Sequence, residues 1–376
     1  MQTLEELRKE LDEIDDAITG LYERRMEICE GVAEYKIRNG RKVFDRAREQ
    51  EKLAAVAAKA TTAFNRKGIR ELFEQIMSMS RKLQYQRLAE EGAMGRLPFI
   101  GLDELDTAGA RIVFQGVEGA YSQAAMESFF GKGKNAFHVP TFRDAMEAIE
   151  EGTADYAVLP IENSSAGAVD QVYDLLVEFE NYIVGEVLLP VEHMLAGLPG
   201  STKEQIRRVY SHPQGLMQCA RFLDAQGGWE QISVANTAVA AKKVLEEQRM
   251  EQAAVCSAYA AKLYGLEILE RKINAESDNS TRFIVVTNQK VFRKDATKIS
   301  ICFEVPNESG SLYHLLSHFI YNDLNMSGIE SRPVEGRSFA YRFFVDFDGN
   351  LADAAVKNAI RGLREEALNL RILGNY

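Results

Sequence analysis

Nothing in the chain approaches the roughly 18 consecutive apolar residues of a membrane span, and the first sixteen residues, MQTLEELRKELDEIDD, lack the apolar core of a signal peptide. Basic side chains are in deficit. Forty-five Lys and Arg face fifty-six Asp and Glu, a net charge of -11, the wrong sign for a nucleic-acid footprint. The four cysteines, Cys29, Cys219, Cys256 and Cys302, are far apart and form no CxxC pair. They frame neither disulfides nor a metal site and suit a reducing cytosol. GxGxxG and GK[ST] are absent, which removes the common nucleotide loops. There is no internal repeat and no low-complexity tract. These absences predict a cytoplasmic protein with no membrane or nucleic-acid partner. What remains is ordinary globular composition, 46% hydrophobic and 27% charged, over 376 residues, enough for two or three domains.

Charge and rhythm divide the chain. Residues 1–95 carry 18 basic and 18 acidic side chains, whereas residues 96–376 carry 27 and 38, so the whole imbalance lies after residue 95. In the first part Leu4, Leu7, Leu11, Ile14, Ile18, Leu21, Ile28, Val32 and Tyr35 recur in steps of three and four, a heptad seam. The helix it implies is about 50 Å long. A segment under 100 residues cannot cover such a seam alone, which predicts a dimer. Asp45 can cap a second helix to about residue 60. A third is expected over about 66–91, with Leu72, Phe73, Ile76, Met77 and Leu83 on its buried face. Residues 92–110 are rich in turn formers and read as a linker. From 111, apolar strands (RIVFQG, DYAVLP, YIVGEVLL, RRVYSH, AAVCSA, RFIVVT) alternate with helical stretches at 121–130, 142–151, 168–179, 213–225 and 237–248, an α/β region of one large lobe or two small ones. Residues 296–376 read as βαββαβ, the split ferredoxin-like unit.

The informative residues are polar groups in core positions. Arg25 occupies the seam slot between Leu21 and Ile28, and a buried arginine demands an anion. Lys36 lies only about 20° around that helix and about 16 Å along it. The pair can converge on an anion, or each can meet a carboxylate of a neighbouring helix. Ser80 and Gln84 continue the stripe of the third helix. Asp45, Arg48 and Glu49 open the second, where capping and solvated charge explain them more readily than a site does. Arg8 is about 25 Å from Arg25 on one helix, too far to share a small ligand, yet in an antiparallel dimer it approaches Arg25 of the other chain. The first histidine is His138. Cations, a carboxylate and neutral hydrogen-bonders, with no nucleophile, suit the clamping and electrostatic stabilisation of a small dianion.

LRKELDEIDDAITGLYERR, AEYK, VFDRARE and SMSRKLQ resemble the all-helical chorismate mutases over about 1–91. The resemblance implies three helices in an intertwined dimer. Arg8 from the partner chain, Arg25 and Arg48 would then bind the carboxylates of chorismate with help from Ser80. Lys36 and Gln84 would hydrogen-bond the ether oxygen, and Glu49 and Asp45 would hold the side of the ring hydroxyl. The product would be prephenate.

Three clusters mark the middle region. FQGVEGAYSQAA (114–125) runs from strand through Gly116 and Gly119 into a helix, and by itself reads most simply as a connection. In LPIENSSAGAVDQ (159–171), Glu162, Asn163, Ser164 and Ser165 crowd a strand end, where open α/β sheets bind ligands. In ESDNSTRFIVV (276–286), Thr281 and Arg282 enter a strand, and SHPQGLMQCA (211–220) brings His212 and Gln214 to another strand end. GAYSQAA, IENSSAG, SHPQ with Cys219, and NSTRF, in that order, resemble the prephenate dehydratase domain over about 111–288. This implies two α/β lobes like those of a periplasmic binding protein, with the site in the cleft. Prephenate would lose its ring carboxylate and hydroxyl, giving phenylpyruvate, CO2 and water. Thr281 would be the acid at the hydroxyl, Glu162, Asn163, Ser164 and Ser165 would line the cleft, and Arg282 would orient the substrate.

In the last segment, Glu308-Ser309-Gly310-Ser311-Leu312 reads alone as a strand–helix turn and Ile329-Glu330-Ser331-Arg332-Pro333 as a strand end. Together they resemble the regulatory ACT domains attached to dehydratases, over 296–376. The implied effector is phenylalanine, held by Gly310, Ser311, Leu312, Glu330, Ser331 and Arg332. Ser311-Leu312-Tyr313 stands where that family usually has Ala-Leu-Val. The whole resembles a bifunctional chorismate mutase/prephenate dehydratase, a homodimer or higher oligomer, with chorismate and prephenate as substrates and neither cofactor nor metal. The competing readings are a cytosolic anion-binding sensor without chemistry, and an enzyme in which one site alone works.

Overall fold

The structure, a computed structural model, describes residues 2–90, 97–275 and 278–376, apart from the side chains of Arg46, Ala89 and Glu90. Residues 92–96 of the expected linker lie outside the described residues. The chain divides into two compact units. One joins Met1–Pro98 to Phe303–Gly328 and Phe347–Leu370; the other comprises Phe99–Cys302, Ile329–Asp346 and Arg371–Tyr376.

The first unit opens with α1 (Leu4–Arg38), α2 (Arg46–Ala57) and α3 (Ala63–Glu90). Thr3 and Glu6 form a reciprocal capping box at the start of α1, which satisfies two orphan N–H groups. Asp45 caps α2 by accepting from the backbone N–H of Arg48 at 3.1 Å. The heptad seam of α1 faces solvent, with Leu21 68%, Leu4 64%, Tyr35 63% and Ile28 62% exposed. Only Cys29 and Ala33 of α1 are buried. The buried stripe of α3 only partly follows its apolar residues, with Phe73, Ile76 and Leu83 half-buried. Leu72 is 47% exposed, whereas Met77, Ser80, Arg81, Gln84, Tyr85 and Leu88 are buried. The reason is that α3 also packs on C-terminal residues. Arg81 donates to Glu366 at 2.9 Å and Tyr85 donates to Glu365, both in the helix Ala354–Glu366.

The second unit is built on two large sheets, with a small parallel pairing of Ile100–Leu102 and Val291–Arg293 besides. The larger runs in the order Met326–Pro333, Tyr341–Asp348, Lys298–Glu304, Leu368–Asn375, Tyr182–Pro190, Ser280–Thr287, Tyr156–Asn163, Arg111–Gln115 and Asn135–Val139. Its core mixes Ile149, Leu159, Val172, Leu176, Ile183 and Ile284 with Phe344 and Leu373 from the C-terminal segment. The smaller sheet orders Glu267–Glu270, Met194–Gly197, Gln252–Cys256, Arg208–Ser211 and Glu230–Ser233. The chain passes from the larger to the smaller sheet between Pro190 and Met194 and returns between Glu270 and Ser280. Two α/β lobes joined by two crossovers are thus present, as expected. The βαββαβ order of the last segment is present too, with its first four sheet positions in the ferredoxin-like arrangement. Its final strand was not expected to extend the larger sheet. It does so by pairing Gly374 with Ile183 in parallel, where a Cβ on Gly374 would stand 2.1 Å from the Ile183 carbonyl oxygen. The helix expected over 213–225 breaks at Cys219 into Pro213–Gln218 and Ala220–Asp224.

Candidate active sites

In the helical layer, Arg25 reaches across to Ser80, which also donates to the Ile76 carbonyl at 2.8 Å. Lys36 Nζ donates to the Val43 carbonyl at 2.5 Å. Burial lowers the Lys36 pKa, against the opposing pull of Glu49, Asp45 and Glu365. Gln84 is 6% exposed and its Oε1 finds no partner among the described residues. The structure therefore pairs Arg25 with Ser80, sets Lys36 in the field of Glu49 and of Asp45, which is exposed at the start of α2, and buries Gln84 on α3. It does not bring in Arg8, which is exposed, or Arg48, whose side chain is 75% exposed and faces Glu51 at 3.6 Å.

Arg81 is the residue that sequence reading missed here. It is 9% exposed and contacts both Glu49 and Glu366. It shares a cavity of ≈ 120 Å³ with Glu49, Glu74, Glu308, Ser311 and His314. Met77, Arg81, Gln84 and Leu88 follow steps of four, three and four, so the same periodicity that exposed Arg25 would have found it. The expected effector residue Ser311 thus shares a cavity with the expected mutase residue Glu49. Gly310 takes φ +83° at the start of Ser311–Ile320, a conformation suited to glycine. Tyr313 is 55% exposed and accepts from Gln75 Nε2 at 2.9 Å.

The crossovers of the second unit hold a cavity of ≈ 650 Å³ lined by Ser165, His212, Gln214, Gln218, Asn274 and Asn279. Thr281 pairs with Asn163 across antiparallel strands. Asn163 is 9% exposed and its amide orientation is dictated by the partners. Oδ1 accepts from Ser165 N at 3.1 Å, Ala166 N at 3.0 Å and Ser165 Oγ at 2.9 Å. Nδ2 donates to Asn279 Oδ1 at 2.8 Å, the Ser280 carbonyl at 3.1 Å and Thr281 Oγ1 at 2.9 Å. Thr281 Oγ1 is therefore an acceptor toward Asn163, which leaves its own proton to donate elsewhere. Ser164 ties the returning crossover, donating to the Asp278 carbonyl at 3.2 Å and accepting from Ser280 N at 3.0 Å.

Two expected cleft residues stand elsewhere. Arg282 and Glu162 are the next register pair, and side chains alternate along a strand, so they occupy the opposite face from Thr281 and Asn163. Arg282 ion-pairs there with Asp346 at 2.7 Å and Glu186 at 2.8 Å, with Glu162 farther off at 3.9 Å, and it donates to Tyr376 Oη at 2.7 Å. Its carboxylate partners are the protein's own. Arg332 is likewise engaged, at 2.5 Å from Asp170 and 2.8 Å from Asp174 on the helix Asp170–Glu178. Glu330 is half-buried and Ser331 exposed on the same strand. The Gly119 N–H, a possible anion donor, is taken by Gln123 Oε1 at 2.7 Å. That loop is an ordinary connection. Gln218, beside the noticed Cys219, lines the cleft and was not singled out. No group of three or more potential metal ligands occurs among the described residues, and none of their helices is long and apolar enough to cross a membrane.

Residues 7–85 match the family model for chorismate mutase type II, and residues 112–291 match that for prephenate dehydratase. A bifunctional chorismate mutase/prephenate dehydratase of Aquifex aeolicus is 30% identical over 380 residues, covering 100% of this chain and 98% of the relative. The chain belongs to the bifunctional chorismate mutase/prephenate dehydratase family. As a member it is an enzyme that rearranges chorismate to prephenate and converts prephenate to phenylpyruvate. An arogenate dehydratase/prephenate dehydratase of Arabidopsis thaliana is 40% identical over 283 residues, 71% of this chain and 68% of that one. The crystal structure of an Arthrobacter aurescens prephenate dehydratase in complex with L-Phe is 30% identical, with a TM-score of 0.66 over 71% of this chain and 89% of that one. With both activities in the family, the sensor reading falls away.

Proposed function

We propose that Thr281 supplies the proton to the departing ring hydroxyl of prephenate, with Asn163 and Ser165 fixing its direction. The observation that carries this is the 2.9 Å bond from Asn163 Nδ2 to Thr281 Oγ1. It occupies the oxygen as an acceptor and frees the O–H to donate. A threonine is a weak acid, but loss of CO2 and aromatisation drive the C–O cleavage, so a directed donor is what the step needs. The proton goes to the leaving hydroxyl, the carboxylate electrons pass into the ring as CO2 departs, and water restores the threonine. Prephenate fed to Thr281→Ser and Thr281→Ala proteins tests this. Serine should keep most of the phenylpyruvate formation and alanine should lose it; equal activity in both would remove Thr281 from the step.

In the mutase half, Lys36 and Gln84 take the breaking ether oxygen, and Arg25 with Ser80 takes a carboxylate. Glu49 and Asp45 face the ring hydroxyl, and Arg48 closes on the second carboxylate. The exposed seam of α1 supports a homodimer, since a row of nine apolar side chains at 39–68% exposure needs a second copy to bury it. That copy would supply Arg8. The fold-level order of 296–376 supports an ACT domain with phenylalanine as feedback effector, a reading strengthened by the L-Phe complex of the Arthrobacter relative. Gly310, Ser311 and Leu312 remain the effector loop of this reading, with Glu330 and Ser331 on the second motif. Calorimetry with phenylalanine, against tyrosine and tryptophan, tests it. The modules proposed are 1–91, 111–288 and 296–376, in a cytoplasmic enzyme.

A further inference from the structure

Beneath the dehydratase cleft a polar chain runs between the two lobes. His193 sits in the first crossover, 2% exposed, outside the cavity wall. Its backbone N–H donates to Asn274 Oδ1 at 3.2 Å and its carbonyl accepts from Ile273 N at 3.0 Å, so the second crossover holds it in place. On one side of the ring, Nδ1 lies 3.3 Å from Tyr121 Oη, whose single proton faces both Nδ1 and the Glu192 carbonyl, 3.0 Å away. On the other side Nε2 lies 2.9 Å from Gln218 Oε1. Gln218 Nε2 then donates to Ser165 Oγ at 3.0 Å, Ser165 donates to Asn163 Oδ1 at 2.9 Å, and Asn163 donates to Thr281 at 2.9 Å.

The direction of this chain follows from its far end. Asn163 Oδ1 accepts from two backbone N–H groups, so it is the oxygen and Ser165 must donate to it. Ser165 has one proton and has spent it, so it accepts from Gln218, whose Nε2 is therefore the near atom. Gln218 Oε1 faces His193, and the imidazole must present N–H at Nε2. Burial lowers the His193 pKa and keeps the ring neutral, against the smaller opposing effect of Gln218. A neutral ring has one N–H, which leaves Nδ1 an acceptor that shares the single Tyr121 hydroxyl proton with the Glu192 carbonyl.

We propose that His193 is a positioning residue for the dehydratase reaction, which fixes the amide of Gln218 and through Ser165 and Asn163 the direction of the Thr281 hydroxyl. This rests on the assignment of Thr281 as the proton donor. His193 never touches substrate. Removing it frees Gln218 to rotate its amide, which reverses or breaks the bond to Ser165.

The test uses the full-length protein, with the mutase rate of each sample as its folding control. His193→Ala should lower kcat with prephenate by up to about 10²-fold, the cost of a small misplacement, with KM and mutase rate little changed. His193→Gln, which can set an N–H near the place of Nε2, should recover most of kcat. In a Gln218→Ala background, His193→Ala should add little further loss, because contacting residues in one network are non-additive. Full activity of His193→Ala, an equal factor in both backgrounds, or no recovery by His193→Gln would each overturn the proposal. If Thr281→Ala keeps full activity, the donor assignment fails by itself. A large effect of His193→Ala on kcat would then show positioning of some other group. Should His193→Ala fail to fold, Tyr121→Phe gives the second reading. It removes one ring contact while keeping the bulk, and it should lower kcat by a smaller factor; an unchanged kcat there would count against the chain.

Discussion

The two catalytic regions are finished to different degrees within one chain. The dehydratase cleft closes its polar groups on one another, from Tyr121 through His193, Gln218, Ser165 and Asn163 to Thr281. The proposed helical site has Arg25, Lys36 and Gln84 buried or half-buried but leaves Arg8 and Arg48 in solvent, with the apolar seam of α1 uncovered. The difference teaches where oligomerisation matters. A site built at the crossovers of two lobes draws its groups from far-separated stretches of the same chain. A site on a helix of about 50 Å cannot fold that helix back on itself, and in the proposed homodimer it draws on a neighbour.

The largest way to sharpen this contrast is Thr281→Ala. Dehydratase activity should fall by about 10²–10⁴, the range of a lost acid or base, while the mutase rate measured on the same sample persists. A parallel loss of both would mean a packing role. Arg81→Met probes the helical unit itself. Glu49 and Glu366 would be left without their guanidinium, a loss of about 3–5 kcal/mol for a broken buried pair, read by denaturant unfolding. The same contact predicts acid sensitivity. Burial pushes Glu366 up, but His318 and Arg81 outweigh it and hold its carboxyl below the usual range. Its contribution is therefore complete above the ordinary glutamate range and is lost as pH falls through the lowered value. Unfolding curves that do not move between pH 7 and pH 3.5 would contradict this.

Lys36→Ala should lower the mutase rate by about 10²–10³, or roughly 3–4 kcal/mol for a donor to a developing oxyanion, and spare dehydration of added prephenate. The smallest effect belongs to Arg332→Ala. Its partners Asp170 and Asp174 have side chains 59% and 52% exposed, so the ion pairs contribute about 1 kcal/mol or less to stability. A larger loss of phenylalanine binding than of stability would restore Arg332 to the effector site.

The three helices were legible because their apolar spacing repeats over many turns, and the strand bearing Thr281 because STRFIVV is bounded by turn formers. The polar oddities Arg25, Ser80 and Gln84 were legible for the same reason: periodicity defines where a charge does not belong. The face of Arg282 was not. Adjacent residues in a strand point oppositely, and a motif quoted as a string hides that Thr281 and Arg282 serve different sides. Leu72 misled because the burial of α3 is decided by Glu365 and Glu366, nearly 300 residues away in sequence. His193, in VEHML, carries no local signal, since its meaning comes from Gln218 and Tyr121 arriving from either side.

The central claim, that the mutase site is completed by a second copy while the dehydratase cleft is whole in one chain, has a direct test in mixing. Arg8→Ala and Lys36→Ala proteins are each expected to be mutase-deficient. After subunit exchange at equal amounts, half of the dimers are mixed, and each mixed dimer has one site with an intact Lys36 and an intact Arg8 from its neighbour. The account predicts recovery of about one quarter of the unmutated mutase rate, the statistical share for a two-fold dimer, with dehydratase activity unchanged throughout. No recovery after demonstrated exchange, or a fully active monomer of the unmutated chain, would contradict it.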